Sequence, residues 1–194
     1  MDRAKWRFAV LGLLAAAACA GGASYGNTTV TEGSAAGRPG LFPAAAHADT
    51  QPLFTIERSK NANVVHYDAR LGADGKLDPK QPVVAYWIML AEDGRREDLN
   101  WVEKGKAYGF DIKPDPSGDG YRMTVVSAPD RQITVKMEGK AARADMAIDG
   151  HPAVLEKMYI DSSDGLMGPK VHYIELHGKD VKTGEKRFEK IVPK

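Results

Sequence analysis

From Leu53 onward, apolar and polar residues alternate with a period of two. Ile133, Val135 and Met137 alternate with Thr134, Lys136 and Glu138, and Ala144, Met146 and Ile148 stand against Arg143, Asp145 and Asp149. A strand with one face in the core and one in water gives this pattern. The same reading predicts further strands at Phe54–Arg58, Val64–Ala69, Val83–Leu90, Phe110–Lys113, Tyr121–Ser127, Ala153–Asp161, Val171–His177 and Arg187–Val192. With Gln132–Met137 and Arg143–Asp149 that makes ten. Turn pairs such as Asp74-Gly75, Asp93-Gly94, Asp149-Gly150 and Thr183-Gly184 fall between them. Strands at this spacing, joined by turns too short for a crossover, argue for an all-β antiparallel meander.

One segment breaks the alternation. Glu97–Lys104 places Leu99 and Val102 on one face, begins on acidic residues and stops at Gly105, which predicts a two-turn helix. Val83–Leu90 is continuously apolar, so both of its faces are expected to be covered. A barrel of about ten strands fits this set best, because closure removes both sheet edges. A β-sandwich is the alternative.

The first 52 residues belong to another regime. Arg3, Lys5 and Arg7 precede an apolar run from Phe8 to Ala18, and small residues follow. That is the layout of an export signal, and the run is shorter than the roughly 20 apolar residues a membrane-spanning helix needs. Residues 1–19 are therefore read as the signal. Cys19, the sole cysteine, closes the apolar run and resembles the lipidated cysteine of a bacterial lipobox, although Ala16 stands where that signal favours Leu. Ordinary cleavage after the small-x-small triplet Ala18-Cys19-Ala20 is the other reading, and both stay open. Residues 20–52 are rich in Gly, Ala, Ser, Thr and Pro and predict a disordered tether with a reach of about 30 Å. A single β domain then fills 53–194. The expected location is the periplasm, free or held by a lipid at the outer side of the inner membrane or at the outer membrane.

Charge narrows the partners. The chain carries 27 Lys and Arg against 26 Asp and Glu, and from residue 51 onward the two are equal. A neutral, evenly mixed surface lacks the basic excess of a nucleic-acid binder, so none is expected. With one cysteine, no intramolecular disulfide forms, and the domain must hold by burial alone.

Four stretches resemble a known family: Arg58–Asp68 (RSKNANVVHYD), Tyr86-Trp87-Ile88, Ala107-Tyr108-Gly109-Phe110 and Tyr173-Ile174-Glu175-Leu176. Together they are similar to the uncharacterised bacterial family called domain of unknown function 4833, over roughly residues 53–192. The resemblance implies a compartment and a domain boundary, and it supplies no catalytic residue.

Candidate chemistry is sparse. Arg58, Lys60, Asn61 and Asn63 crowd two cations and two amides between two strands, with His66 just beyond. These five are the candidate ligand-binding residues, since Arg offers a planar fork and Lys a point charge to an anion or polar group. The other reading is a hairpin turn in which Asn61 and Asn63 satisfy backbone groups. His172, Glu175 and His177 raise a metal site, but strand periodicity puts His172 on the face opposite the other two, so no metal is expected. Ser59, Ser117, Ser127, Ser162 and Ser163 are read in turns or at strand ends, outside any Gly-x-Ser-x-Gly elbow. Asp161–Gly165 reads as a solvated turn. Tyrosines recur on most strands, and a barrel of this size can enclose one small ligand. The expectation is a non-catalytic binding module for a small, partly apolar ligand or a protein partner, without cofactor. A hydrolase-like or metal-assisted enzyme assembled from Arg58, Lys60, His66, His172, Glu175 and His177 is the alternative.

Overall fold

Eleven strands and one short helical segment make up the computed structural model, which describes residues 49–59, 61–165 and 168–193. The strands are β1 (Thr50–Arg58), β2 (Asn61–Arg70), β3 (Val83–Ile88), β4 (Arg96–Asp98), β5 (Phe110–Pro114), β6 (Tyr121–Val125), β7 (Ile133–Glu138), β8 (Ala141–Ile148), β9 (His151–Gly165), β10 (Gly168–Asp180) and β11 (Lys186–Ile191). Every expected strand is present. β4 is the addition, and it occupies the start of the segment that reads as helix.

The helical segment begins later, for a local reason. Arg96–Asp98 pairs with β3, so Glu97 and Asp98 are strand residues. Asn100 then caps α1 (Trp101–Glu103). Its side chain accepts from the Glu103 N–H at 3.0 Å, and the Glu103 carboxylate accepts from the Asn100 N–H at 2.9 Å. This reciprocal pair satisfies two of the donors a helix start leaves open. A wider π-helical turn over Lys104–Tyr108 follows, with Gly105 inside it rather than ending it. Gly109 ends it in an extended conformation, and glycine is needed there because a Cβ would lie 2.0 Å from the Lys104 carbonyl oxygen.

The strands form one sheet in the order β4-β3-β2-β1-β9-β8-β7-β6-β5, with β10 and β11 branching from β9. The long β9 explains the branch. One of its edges pairs with β8 over His151–Ile148 and Val154–Asp145, then with β1 in parallel over Lys157–Ile160. The other edge pairs with β10 from Ala153 to Gly165. Two antiparallel arms, β1–β4 and β5–β8, thus hang from a shared hairpin.

The arms curl over a common core. Tyr67 of β2 meets Phe110 of β5 edge-on at 6.1 Å, Trp87 of β3 meets Tyr108 at 4.9 Å, and the Tyr67 hydroxyl donates to the Tyr108 carbonyl at 2.7 Å. Side chains make this closure. β4 and β5 do not pair, since the helical segment takes up the chain between them and Tyr108 fills the gap. The result is a curled, open half-barrel, which corrects the closed barrel expected from the alternation. The alternation itself marks the core faces well. Ile133, Val135, Ala144, Met146 and Ile148 are all buried, alongside Val65, Met123, Leu155, Met158 and Leu176.

Candidate functional site

Where the first arm ends, the chain builds a pocket of about 260 Å³. The core face of a strand carries every second residue, so Arg58 continues the row of Phe54 and Ile56, and Asn63 continues that of Val65 and Tyr67. Both enter the pocket at the edge of the apolar core. Trp87 and Met89 add apolar wall, Glu97 and Asp98 come from β4, and the capping pair Asn100 and Glu103 completes it.

The Arg58 guanidinium carbon lies 5.4 Å from the Trp87 ring centroid, a cation–π distance. Arg58 also faces the Tyr108 hydroxyl, which burial holds above its ordinary pKa against the pull of that cation. Its Nε is buried and finds no hydrogen-bond partner among the described residues. Three wall groups are already engaged. Asn63 accepts from the Ala91 N–H at 2.9 Å, Glu97 takes the Arg95 fork at 2.8 and 2.9 Å, and Glu103 caps α1. Asp98 is exposed and makes no ion pair among the described residues. Among the described residues the pocket therefore presents one guanidinium, Arg58, and one carboxylate outside any ion pair or helix cap, Asp98.

His66 lies on the other face of β2. It stacks on Tyr86 at 5.7 Å beside Asp68, and burial lowers its pKa against the attraction of that carboxylate. Of the five candidate ligand residues, Arg58 and Asn63 share the pocket and His66 does not. Lys60, the Asn61 side chain and Cys19 lie outside the described residues.

The metal candidates do not assemble. Among the described residues no group of three or more His, Cys, Asp or Glu is arranged to hold a metal ion. His177 contacts Glu175 at 3.4 Å, whereas His172 bonds Asp161 and Ser163, both at 2.8 Å. The segment expected as a solvated turn is strand, because β9 runs on to Gly165. The Asp161–Ser163–His172 set was not legible from spacing. Its only local signal was that Asp161 and Ser163, two apart, share a strand face.

The comparisons give a family and nothing more. The model of the domain of unknown function 4833 family matches residues 54–190, and the chain belongs to that family. No curated protein and no solved structure matches the chain.

Proposed function

We propose that this member of the domain of unknown function 4833 family is an exported binding module, tethered through Cys19, whose pocket takes a small, partly apolar zwitterion of amino-acid size. The observation that carries it is Arg58, a pocket-lining guanidinium held against an indole, whose buried Nε has no hydrogen-bond partner among the described residues. A buried donor left unmatched costs on the order of 1–3 kcal/mol, so a ligand oxygen toward which the guanidinium turns gains by that amount. Asp98 supplies the opposite need, an acceptor for an ammonium or hydroxyl, and Trp87 and Met89 supply apolar contact. About 260 Å³ is below the roughly 300–1,000 Å³ of drug-sized sites, so the ligand is small. The basic-then-apolar opening and the position of Cys19 support export and anchoring.

Native mass spectrometry of the full chain from its own membranes, incubated with a panel of free amino acids, tests both parts. Expected are a diacylglyceryl mass on Cys19 and a retained amino-acid mass that Arg58→Gln abolishes. A mature chain starting at Gly21 or later without acyl mass overturns the anchor. Retention that is absent, or equal in Arg58→Gln, overturns the pocket.

A further inference from the structure

The geometry points to a second, catalytic site at the far end of the β9–β10 hairpin, in which Ser163, His172 and Asp161 form a nucleophile–base–orienter set for cleaving short-chain esters. This inference is independent of the pocket reading, since the sites share no residue.

The set exists because of a bulge. Across the hairpin Val171 stands opposite Ser162 and Tyr173 opposite Asp161, so His172 is the extra residue of β10. A bulge breaks the alternation and re-aims a side chain. The ring of His172 thereby reaches both Asp161 and Ser163, which alternate onto one face of β9. Asp161 Oδ2 lies 2.8 Å from His172 Nδ1, and Ser163 Oγ lies 2.8 Å from His172 Nε2. An ionised carboxylate only accepts, which puts the ring proton on Nδ1 and leaves Nε2 to accept from the Ser163 hydroxyl. That is the arrangement that activates a serine, and it is recognised by geometry rather than by order in the chain.

The backbone beneath is clamped. Ser59 at the end of β1 donates to the Ser162 carbonyl and accepts from the Ser162 N–H, both at 3.2 Å, fixing the residue between Asp161 and Ser163. Lys170 is the register partner of Ser163, which sets an exposed cation beside the nucleophile on the same face of the hairpin.

In the first half-reaction Ser163 Oγ attacks the ester carbonyl carbon while its proton passes to His172 Nε2. The bond to the alcohol oxygen breaks, and the alcohol leaves with that proton. Water then attacks the acyl-Ser163 carbonyl as His172 Nε2 takes its proton, the bond to Ser163 Oγ breaks, and that proton passes to Oγ, releasing the carboxylic acid and restoring the Ser163 hydroxyl. His172 is 43% and Asp161 24% exposed, so the set faces solvent without enclosing an acyl chain. That favours a small acyl group, such as acetyl, on an accessible hydroxyl. Asp161 is a positioning residue, because it acts through His172.

The full-length protein is incubated with a fluorophosphonate probe and, separately, with p-nitrophenyl acetate, and the labelled peptide is mapped by mass spectrometry. Expected is one phosphonyl group on Ser163 and ester turnover that falls to the buffer rate in Ser163→Ala and His172→Gln. Ser162→Ala retains both signals. Asp161→Asn lowers kcat on the order of a hundredfold or more with KM unchanged, a split that a merely structural role would not produce. No label on the wild type, equal labelling of Ser163→Ala, or turnover that survives Ser163→Ala overturns the proposal and leaves the Arg58 pocket untouched.

Discussion

Asp68 is the residue in most need of its neighbours. It is 3% exposed, on the face of β2 away from the main core. Its Oδ2 accepts from the Tyr86 hydroxyl at 2.6 Å, while Oδ1 has no partner among the described residues. Burial first, and the bond to Asp68 second, hold the Tyr86 phenol well above its ordinary pKa. Arg96 caps the arrangement, its guanidinium carbon 3.6 Å from the Tyr86 ring centroid. Tyr86→Phe keeps the ring, and with it the Arg96 and His66 stacking, but strips the carboxylate of its one donor. A charged acceptor left buried without a partner costs on the order of 1–3 kcal/mol or more. Urea unfolding at neutral pH is expected to show a loss of that size, and a change under about 0.5 kcal/mol would show that water already solvates Asp68. None of this was visible in the sequence, where Asp68 reads as the wet position of a strand. What covers it is a cross-strand stack of long side chains, and a period-two pattern carries no information about that.

Among the elements, the β10–β11 hairpin rests on Asp180. Oδ1 accepts from the N–H groups of Lys182 and Thr183 at 2.9 and 3.1 Å, and Oδ2 takes the Arg187 fork at 2.8 and 3.1 Å. The two backbone donors, followed by Arg187, hold its pKa down to about 2 from the ordinary 3.8. A carboxylate depressed in the folded state stabilises it above the ordinary value, and that stability is lost as pH falls through the folded value. Unfolding midpoints are therefore expected to drop between about pH 4 and pH 2 more steeply in the wild type than in Asp180→Asn. Parallel curves for the two would overturn the assignment. This hairpin was legible in the sequence, since Thr183-Gly184 marks its turn and Gly184 sits at φ 71°. The helix was less so. Acidic Glu97 and Asp98 mimic a helix start, yet pairing to β3 claims them, and the true signal was the capping pattern of Asn100 and Glu103.

At the scale of the whole molecule, local pattern identified the strands but not their closure. The parallel join of β1 to β9 pairs residues about 100 positions apart, as Thr55 with Lys157, and no local alternation encodes such a partner. The candidate sites follow the same rule. Arg58 and Asn63 were near in sequence, whereas Ser163 and His172 meet only through a bulge in a hairpin whose register the sequence does not fix. Both arms hang from β9, so the molecule's integrity depends on how closely β9 and β10 approach, and Gly178 sets that distance. A Cβ at Gly178 would lie 2.3 Å from the Val154 carbonyl oxygen and 2.7 Å from Ile148 Cδ1. The first of these atoms is backbone and cannot swing aside, so Gly178→Ala forces β10 off β9 next to a second register shift. Because β9 carries both arms, the damage is expected to be global. In a Trp6→Phe, Trp101→Phe background, the fluorescence of Trp87 reports the first arm, and far-UV circular dichroism reports the whole sheet. Gly178→Ala is expected to lower both urea midpoints together, by about 2 kcal/mol or more. If the circular dichroism midpoint falls while Trp87 keeps its own, the arms unfold separately and the shared hairpin is not what unites them.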